Sequence, residues 1–191
     1  QMMMVTVQYK EHQESKGGIM ARTFTLPKKG TGLWNEGWHV VTINKAEYGE
    51  WNGSKLIDVY FDGYPDNFNM RIYEKVGKDG EEFAIGNLFR FANAGITDAL
   101  ESATGETIIK MNDDAAELVG KTVNAYFYKD GKFTRVLGQV APVPFKNIVE
   151  EFTEKDVTYF KGRTESFFSK WVEPKLKDET HEETVTESSD V

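Results

Sequence analysis

Trp38-His39-Val40-Val41-Thr42-Ile43 and, after a short interruption, Lys55-Leu56-Ile57-Asp58-Val59-Tyr60-Phe61 are the stretches on which the fold turns. The first, extended to Ala46, is rich in β-branched residues and reads as a strand. The second alternates, with Ile57, Val59 and Phe61 on one side and Leu56, Asp58 and Tyr60 on the other, which is the period of a strand with one face buried. Between them stands Asn52-Gly53, a pair that tolerates the positive φ of a tight hairpin turn.

Working outward, Gly63-Tyr64-Pro65-Asp66 breaks the second strand and Phe68–Val76 alternates again, with Phe68, Met70 and Ile72 opposite Arg71, Tyr73 and Lys75. From Phe83 to Glu101 the period changes. Ile85, Leu88, Phe89, Ala92, Ile96 and Leu100 fit helical spacing with a break near Gly95, and Phe89 and Phe91 read as core. Asp113 or Asp114 caps a further helical turn ending at Val119. Thr122–Lys129 and Phe133–Val140 are a fourth and fifth strand joined at Asp130-Gly131. Five strands with a helix between the third and fourth is the layout of an oligonucleotide-binding (OB) barrel. The fold expected is all-β: a five-stranded OB-fold barrel over 19–144, preceded by a flexible segment 1–18. Ile19–Leu26 is a short strand ended by Pro27. A helical extension over 145–177 packs on the barrel, from apolar spacing at Phe145, Ile148, Val149 and Phe152 and again at Phe167, Phe168, Trp171 and Val172. An acidic disordered tail over 178–191 completes the chain.

The chain has 191 residues and a formal charge of -8. Six acids, Asp178, Glu179, Glu182, Glu183, Glu187 and Asp190, lie in the tail, where there is no Lys or Arg. They leave 23 basic against 25 acidic residues in the body, about -2. Bulk charge therefore does not argue against a nucleic-acid partner. With no cysteine, disulfides, thiolate metal sites and a cysteine nucleophile are excluded, and a reducing cytoplasm (that of a host cell if the protein is viral) is the expected compartment. No run approaches a membrane span, and Gln1-Met2-Met3-Met4 lacks the charge and apolar core of a signal peptide.

Catalysis has no foothold in the motifs. His12, His39 and His181 are far apart, without metal-ligand spacing. Asp113 and Asp114 are adjacent and diverge on either a strand or a helix. Gly49–Lys55 has the wrong spacing and the wrong Ser-Lys order for a phosphate loop, and no G-x-S-x-G elbow exists. No metal or cofactor is expected.

Aromatic and basic residues gather on the non-core side of the strands. Arg71, Tyr73 and Lys75 share the third strand, Tyr60 the second, Tyr126 and Tyr128 the fourth, and Phe133 and Arg135 the fifth. A ring stacks on any base, because every base has a π-face, and interleaved cations hold phosphates. The expected interface for single-stranded DNA is therefore Tyr60, Tyr73, Tyr126, Tyr128 and Phe133 as stacking platforms, with Trp51 as a clamp and Arg71, Lys75, Lys110, Lys132 and Arg135 on phosphates. Tyr48 and Tyr64 extend the track from the neighbouring turns. Such rings also serve as cross-strand pairs or as seats for the chain's own extensions. The tail is either a solubility aid or a polyanion that competes for the groove and docks on basic partners.

Gly37-Trp38-His39-Val40-Val41-Thr42-Ile43 running into Ala46-Glu47, then Asn52-Gly53-Ser54-Lys55, Val59-Tyr60-Phe61 before Gly63-Tyr64-Pro65, Leu118-Val119-Gly120-Lys121 and Val140-Ala141-Pro142-Val143-Pro144 resemble, with the acidic tail, the phage-encoded OB-fold single-stranded DNA-binding proteins. The resemblance spans Ala21 to Pro144 plus the tail. It implies sequence-nonspecific coating of single strands in phage DNA replication, recombination or repair, with the tail contacting replication or recombination proteins. One departure is the end Ser189-Asp190-Val191, where related groups often carry an aromatic residue. Two other classes fit the same sequence: an OB module that docks proteins without binding DNA, and a metal-dependent DNA-processing enzyme using carboxylates. RNA is a near variant of the DNA reading unless a 2′-OH is read.

Overall fold

The structure, a computed structural model, describes residues 4–8, 21–27 and 32–176. The chain divides into two compact units, Gln1–Asn35 and Glu36–Val191. In the first, β1 (Met4–Gln8) pairs antiparallel with β2 (Thr23–Pro27), setting Val5 opposite Leu26 and Val7 opposite Phe24. The N-terminal segment read as flexible thus holds a strand. Met-Val-Thr-Val-Gln has the β-branched alternation for it, and its partner lies beyond the polar stretch that separates the two in sequence.

The second unit is built on β3 (Gly37–Trp51), β4 (Ser54–Phe61), β5 (Asn69–Tyr73), α1 (Ala84–Phe91), β6 (Ile96–Glu101), β7 (Thr107–Met111), β8 (Thr122–Asp130), β9 (Phe133–Val136), β10 (Phe145–Lys146), β11 (Glu151–Phe152) and α2 (Glu154–Phe167). Five strands form one antiparallel sheet in the order β5-β4-β3-β8-β9. Its core side carries Val41, Ile43, Ile57, Val59, Phe61, Met70, Ile72, Val123, Ala125 and Phe127, all buried, and α1 covers them with Ile85, Leu88 and Phe89. The period-2 reading holds for Ile57, Val59 and Phe61, for Met70 and Ile72, and for Val123, Ala125 and Phe127, because a one-residue slip would have placed the polar set inside. Leu56, read on the other side, is buried as well, and the fifth strand ends at Val136 rather than Val140.

β3 is long because it serves two partners. Its first half pairs with β8, from Gly37–Phe127 to Thr42–Thr122, and its second with β4, from Ile43–Phe61 to Trp51–Ser54. A bulge between Ile43 and Lys45 bends it where the partners change. The turn to β4 uses Asn52 and Gly53 at φ 48° and 78°, the left-handed pair that Asn-Gly is suited to.

No closed barrel forms among the described residues. The outer strands β5 and β9 share no ladder. Gly138, just past β9, nevertheless lies against β5: a Cβ there would stand 2.5 Å from the Arg71 carbonyl oxygen, so only glycine fits the approach.

Two helical readings are corrected. The helix from Phe83 stops at Phe91, and Ile96 and Leu100 belong to a β6–β7 hairpin, opposite Met111 and Ile108. A spacing of four residues puts two side chains on one face of a helix and of a strand alike, so those residues did not discriminate. The chain turns through Asn93 and Gly95, both at positive φ, and the Gly95 position has no room for a Cβ beside the Asn112 carbonyl. Phe145–Phe152 is not a helix either. The Asn147 side chain accepts from the N–H groups of Val149 and Glu150, closing a turn that pairs β10 with β11. The capped turn before β8 is present as a 3-10 turn, Ala115–Leu118, with Asp114 accepting from Ala116 N–H.

α2 opens on a capping box between Thr153 and Asp156. Hydrogen bonds from Thr153 hold the Asp156 carboxyl below its ordinary range. The helix runs into a π turn, Phe168–Val172. No helix among the described residues is long and apolar enough to cross a membrane. The tail acids Asp178, Glu179, Glu182, Glu183, Glu187 and Asp190 lie outside the described residues.

Candidate nucleic-acid interface

The non-core side of the sheet divides at the bend in β3. On one half, strand register aligns three cross-strand rows: Lys45–Tyr60–Asn69, Glu47–Asp58–Arg71 and Gly49–Leu56–Tyr73. Tyr73 is 38% exposed, and Trp51, at the tip of the β3–β4 hairpin, is 59% exposed. Tyr60 is half-buried, with Lys45 Nζ 4.8 Å above its ring centroid.

Asp58 organises this half. It accepts two hydrogen bonds from Arg71, at 2.9 and 3.0 Å, and one from Asn69 at 3.1 Å. The bidentate pair fixes the guanidinium plane on the sheet. Hydrogen bonding to Asp58 first, and to the Tyr73 hydroxyl second, raises the Arg71 pKa further. Lys45 is likewise paired, 3.0 Å from Glu47. The cations here are held in place by acids that a phosphate would have to displace or share.

Lys45 was not singled out from the sequence. Counting by twos from Val41 and Ile43 puts residue 45 inside, but the bulge shifts the parity, so Lys45 turns outward and Ala46 packs on the core.

On the other half, the expected stacking platforms Tyr126 and Tyr128 are covered. Phe168 of the π turn lies 5.2 Å from each ring, and Trp38 meets Tyr126 edge-on at 5.2 Å. Trp38 Nε1 donates to Glu165 of α2 at 2.8 Å, and Lys161 sits 5.6 Å over the indole. Burial raises the pKa of both phenols, with Glu165 and Glu173 adding to it at Tyr126. Tyr126 and Tyr128 are therefore half-buried, each with part of its ring already taken by Phe168. Alternation placed them on the correct side of the sheet but carried no information about what covers that side.

At the far end, Phe133 on the β8–β9 hairpin is 57% exposed. Lys132 Nζ and the Arg135 guanidinium lie 5.5 and 5.9 Å from its ring centroid, and Arg135 is paired with Asp130. The β3–β4 and β8–β9 turns stand at opposite ends of β3, since β8 crosses Gly37 at Phe127 and runs on three residues before its turn. The rings and cations form two open patches separated by a partly covered strip.

Two phosphate candidates lie off both patches. Lys75 follows β5, its Nζ 5.2 Å from the Phe167 ring centroid. Lys110 sits on β7 opposite Asp98, in a separate two-stranded sheet. The turn residues Tyr48 and Tyr64 are not free fingers. Tyr48 donates to the Asp113 carbonyl at 2.6 Å, with its pKa pushed up to about 12, chiefly by burial. Tyr64 packs against Phe68 and Phe127. His39 stacks on Phe127 at 4.0 Å, and no group of three metal-ligating side chains occurs among the described residues.

What fold and surface define together is an antiparallel β-sheet body with a helical C-terminal cover and two exposed aromatic-basic patches. The chain matches no family model, no curated protein and no solved structure.

Proposed function

We propose that this protein binds single-stranded DNA without sequence preference, through the open half of the sheet and the two hairpin tips. The strand order supports reading the sheet as an OB barrel left unlaced between β5 and β9: OB proteins bind oligonucleotides on the face of their second and third strands and on the loops after the first and fourth. Those positions here are β4, β5, the Trp51 turn and the Phe133 turn. The single observation that carries the reading is the exposed set Trp51, Tyr73 and Arg71 beside Tyr60, in strand register on that face. Rings there stack on any base, and Arg71, Lys132 and Arg135 contact phosphates. The role is non-catalytic: coating of single strands in phage DNA replication, recombination or repair, with the acidic tail meeting replication or recombination proteins.

The test is quenching of tryptophan fluorescence by oligo-dT at low and high salt. The expected result is micromolar or tighter binding at low salt, weakening with a log–log slope of about -0.7 for each phosphate neutralised. Absence of binding at low salt would end the reading.

A further inference from the structure

Beyond the sheet face, a cleft of about 340 Å³ opens between the start of α1, the segment after β9 and the middle of α2. We propose that it is a pocket for one unstacked nucleotide, base inside and phosphate at the rim. The inference deepens the DNA-binding reading and rests on it for its source of nucleotides.

The walls have the required chemistry. Phe83 and Phe167 supply aromatic surface to a base, and Phe83 is 48% exposed. Asn87 and Gln139 bring amide donors and acceptors, the groups that read a base edge. Lys75 and Arg163 also line the cleft, and neither is in an ion pair among the described residues, unlike Lys45, Arg71, Arg90 and Arg135. Two unneutralised cations beside an aromatic cleft suit a phosphate attached to a base.

The cleft also adjoins the proposed DNA face. Gly138 lines it while touching the Arg71 carbonyl, whose side chain lies on the open face, and Lys75 is two residues beyond Tyr73. A strand crossing Tyr73 can therefore swing one nucleotide into it.

The test is NMR of the full chain titrated separately with dTMP and with oligo-dT, following the side-chain amides of Asn87 and Gln139 against signals of Trp51 and Tyr73. Both ligands are expected to shift the cleft signals. The Lys75→Gln, Arg163→Gln double variant should weaken dTMP about tenfold or more. Phe83→Ala should weaken it about fivefold or more through the lost stacking surface, with little change in melting temperature because Phe83 is 48% exposed. Cleft shifts with dTMP alone would support the pocket and name free nucleotide as its source; shifts with the oligonucleotide alone would support it with the strand as source. Shifts at Trp51 and Tyr73 with a silent cleft would overturn the pocket and leave DNA binding standing. A silent protein with both ligands would overturn both. Unchanged dTMP affinity in both folded variants would also overturn the pocket.

Discussion

The open half of the sheet and the half under α2 carry the same kinds of residue. Tyr60, Tyr73 and Trp51 face outward on one; Trp38, Tyr126 and Tyr128 face outward on the other. On the first half each cation has its own acid, and the rings lie bare or half-bare. On the second the chain's own C-terminus supplies Phe168, Glu165 and Lys161, which occupy the rings as a ligand would. The difference teaches that an outward aromatic on a strand is a half-built contact. A base, a partner or a later segment of the same chain can complete it, and the physics of stacking is alike in each case.

The sharpest way to break this contrast is to truncate rings on each half separately. Trp51→Ala with Tyr73→Ala removes two exposed stacking surfaces. At ~1–3 kcal/mol per ring, oligo-dT affinity should fall at least about 30-fold. Exposed positions tolerate such changes within about 0.5 kcal/mol, so the melting curve should hardly move. Equal loss of stability and binding would erase the distinction between the halves.

Phe168→Ala should behave in the opposite sense. It strips the cover from Tyr126 and Tyr128 and should cost about 1–3 kcal/mol of stability in denaturant melts, without reducing oligo-dT affinity. A fall in affinity as large as that of the Trp51 and Tyr73 pair would show that the covered strip belongs to the interface.

Asp58→Asn sharpens the electrostatic side. Removing the carboxylate frees Arg71 for phosphate, so the salt slope should steepen by about 0.7, with several-fold tighter binding at low salt. An unchanged slope would place Arg71 outside the phosphate track.

The smallest effect is alkaline. Tyr126 and Tyr128 have pKa values raised above 10.0 in the folded chain, so the unfolded chain loses those protons first. Their contribution is intact below pH 10 and declines as pH rises from there through the folded values. Ultraviolet titration should find these phenols titrating later than an exposed tyrosine, with Tyr48 at about 12. Phe168→Ala should move Tyr126 and Tyr128 back toward 10. Two phenols that already titrate normally in the unmutated protein would refute the cover.

Much of the sheet was legible because strand side chains alternate and a core tolerates no slip. Ile57, Met70 and Phe127 declared the inner side, and Asn52-Gly53 declared a turn. β6, β7 and the β10–β11 turn were not legible. Ile96 and Leu100 satisfy two periods at once, and the Asn147 turn depends on side-chain hydrogen bonds that composition does not reveal. Of the candidate site, Trp51, Tyr73, Arg71 and Phe133 were legible as exposed, whereas the outward turn of Lys45 depended on a bulge.

By itself, then, the sequence determined the turns at Asn52-Gly53 and Asp130-Gly131 and which side of β4, β5 and β8 is apolar, since both follow from local sterics and a two-residue period. Only the tertiary structure decided which outward rings stay open. That depends on where α2 returns, and a helix of modest amphipathicity anchored by Val157, Phe160 and Phe168 finds its seat through contacts with residues far away in the chain.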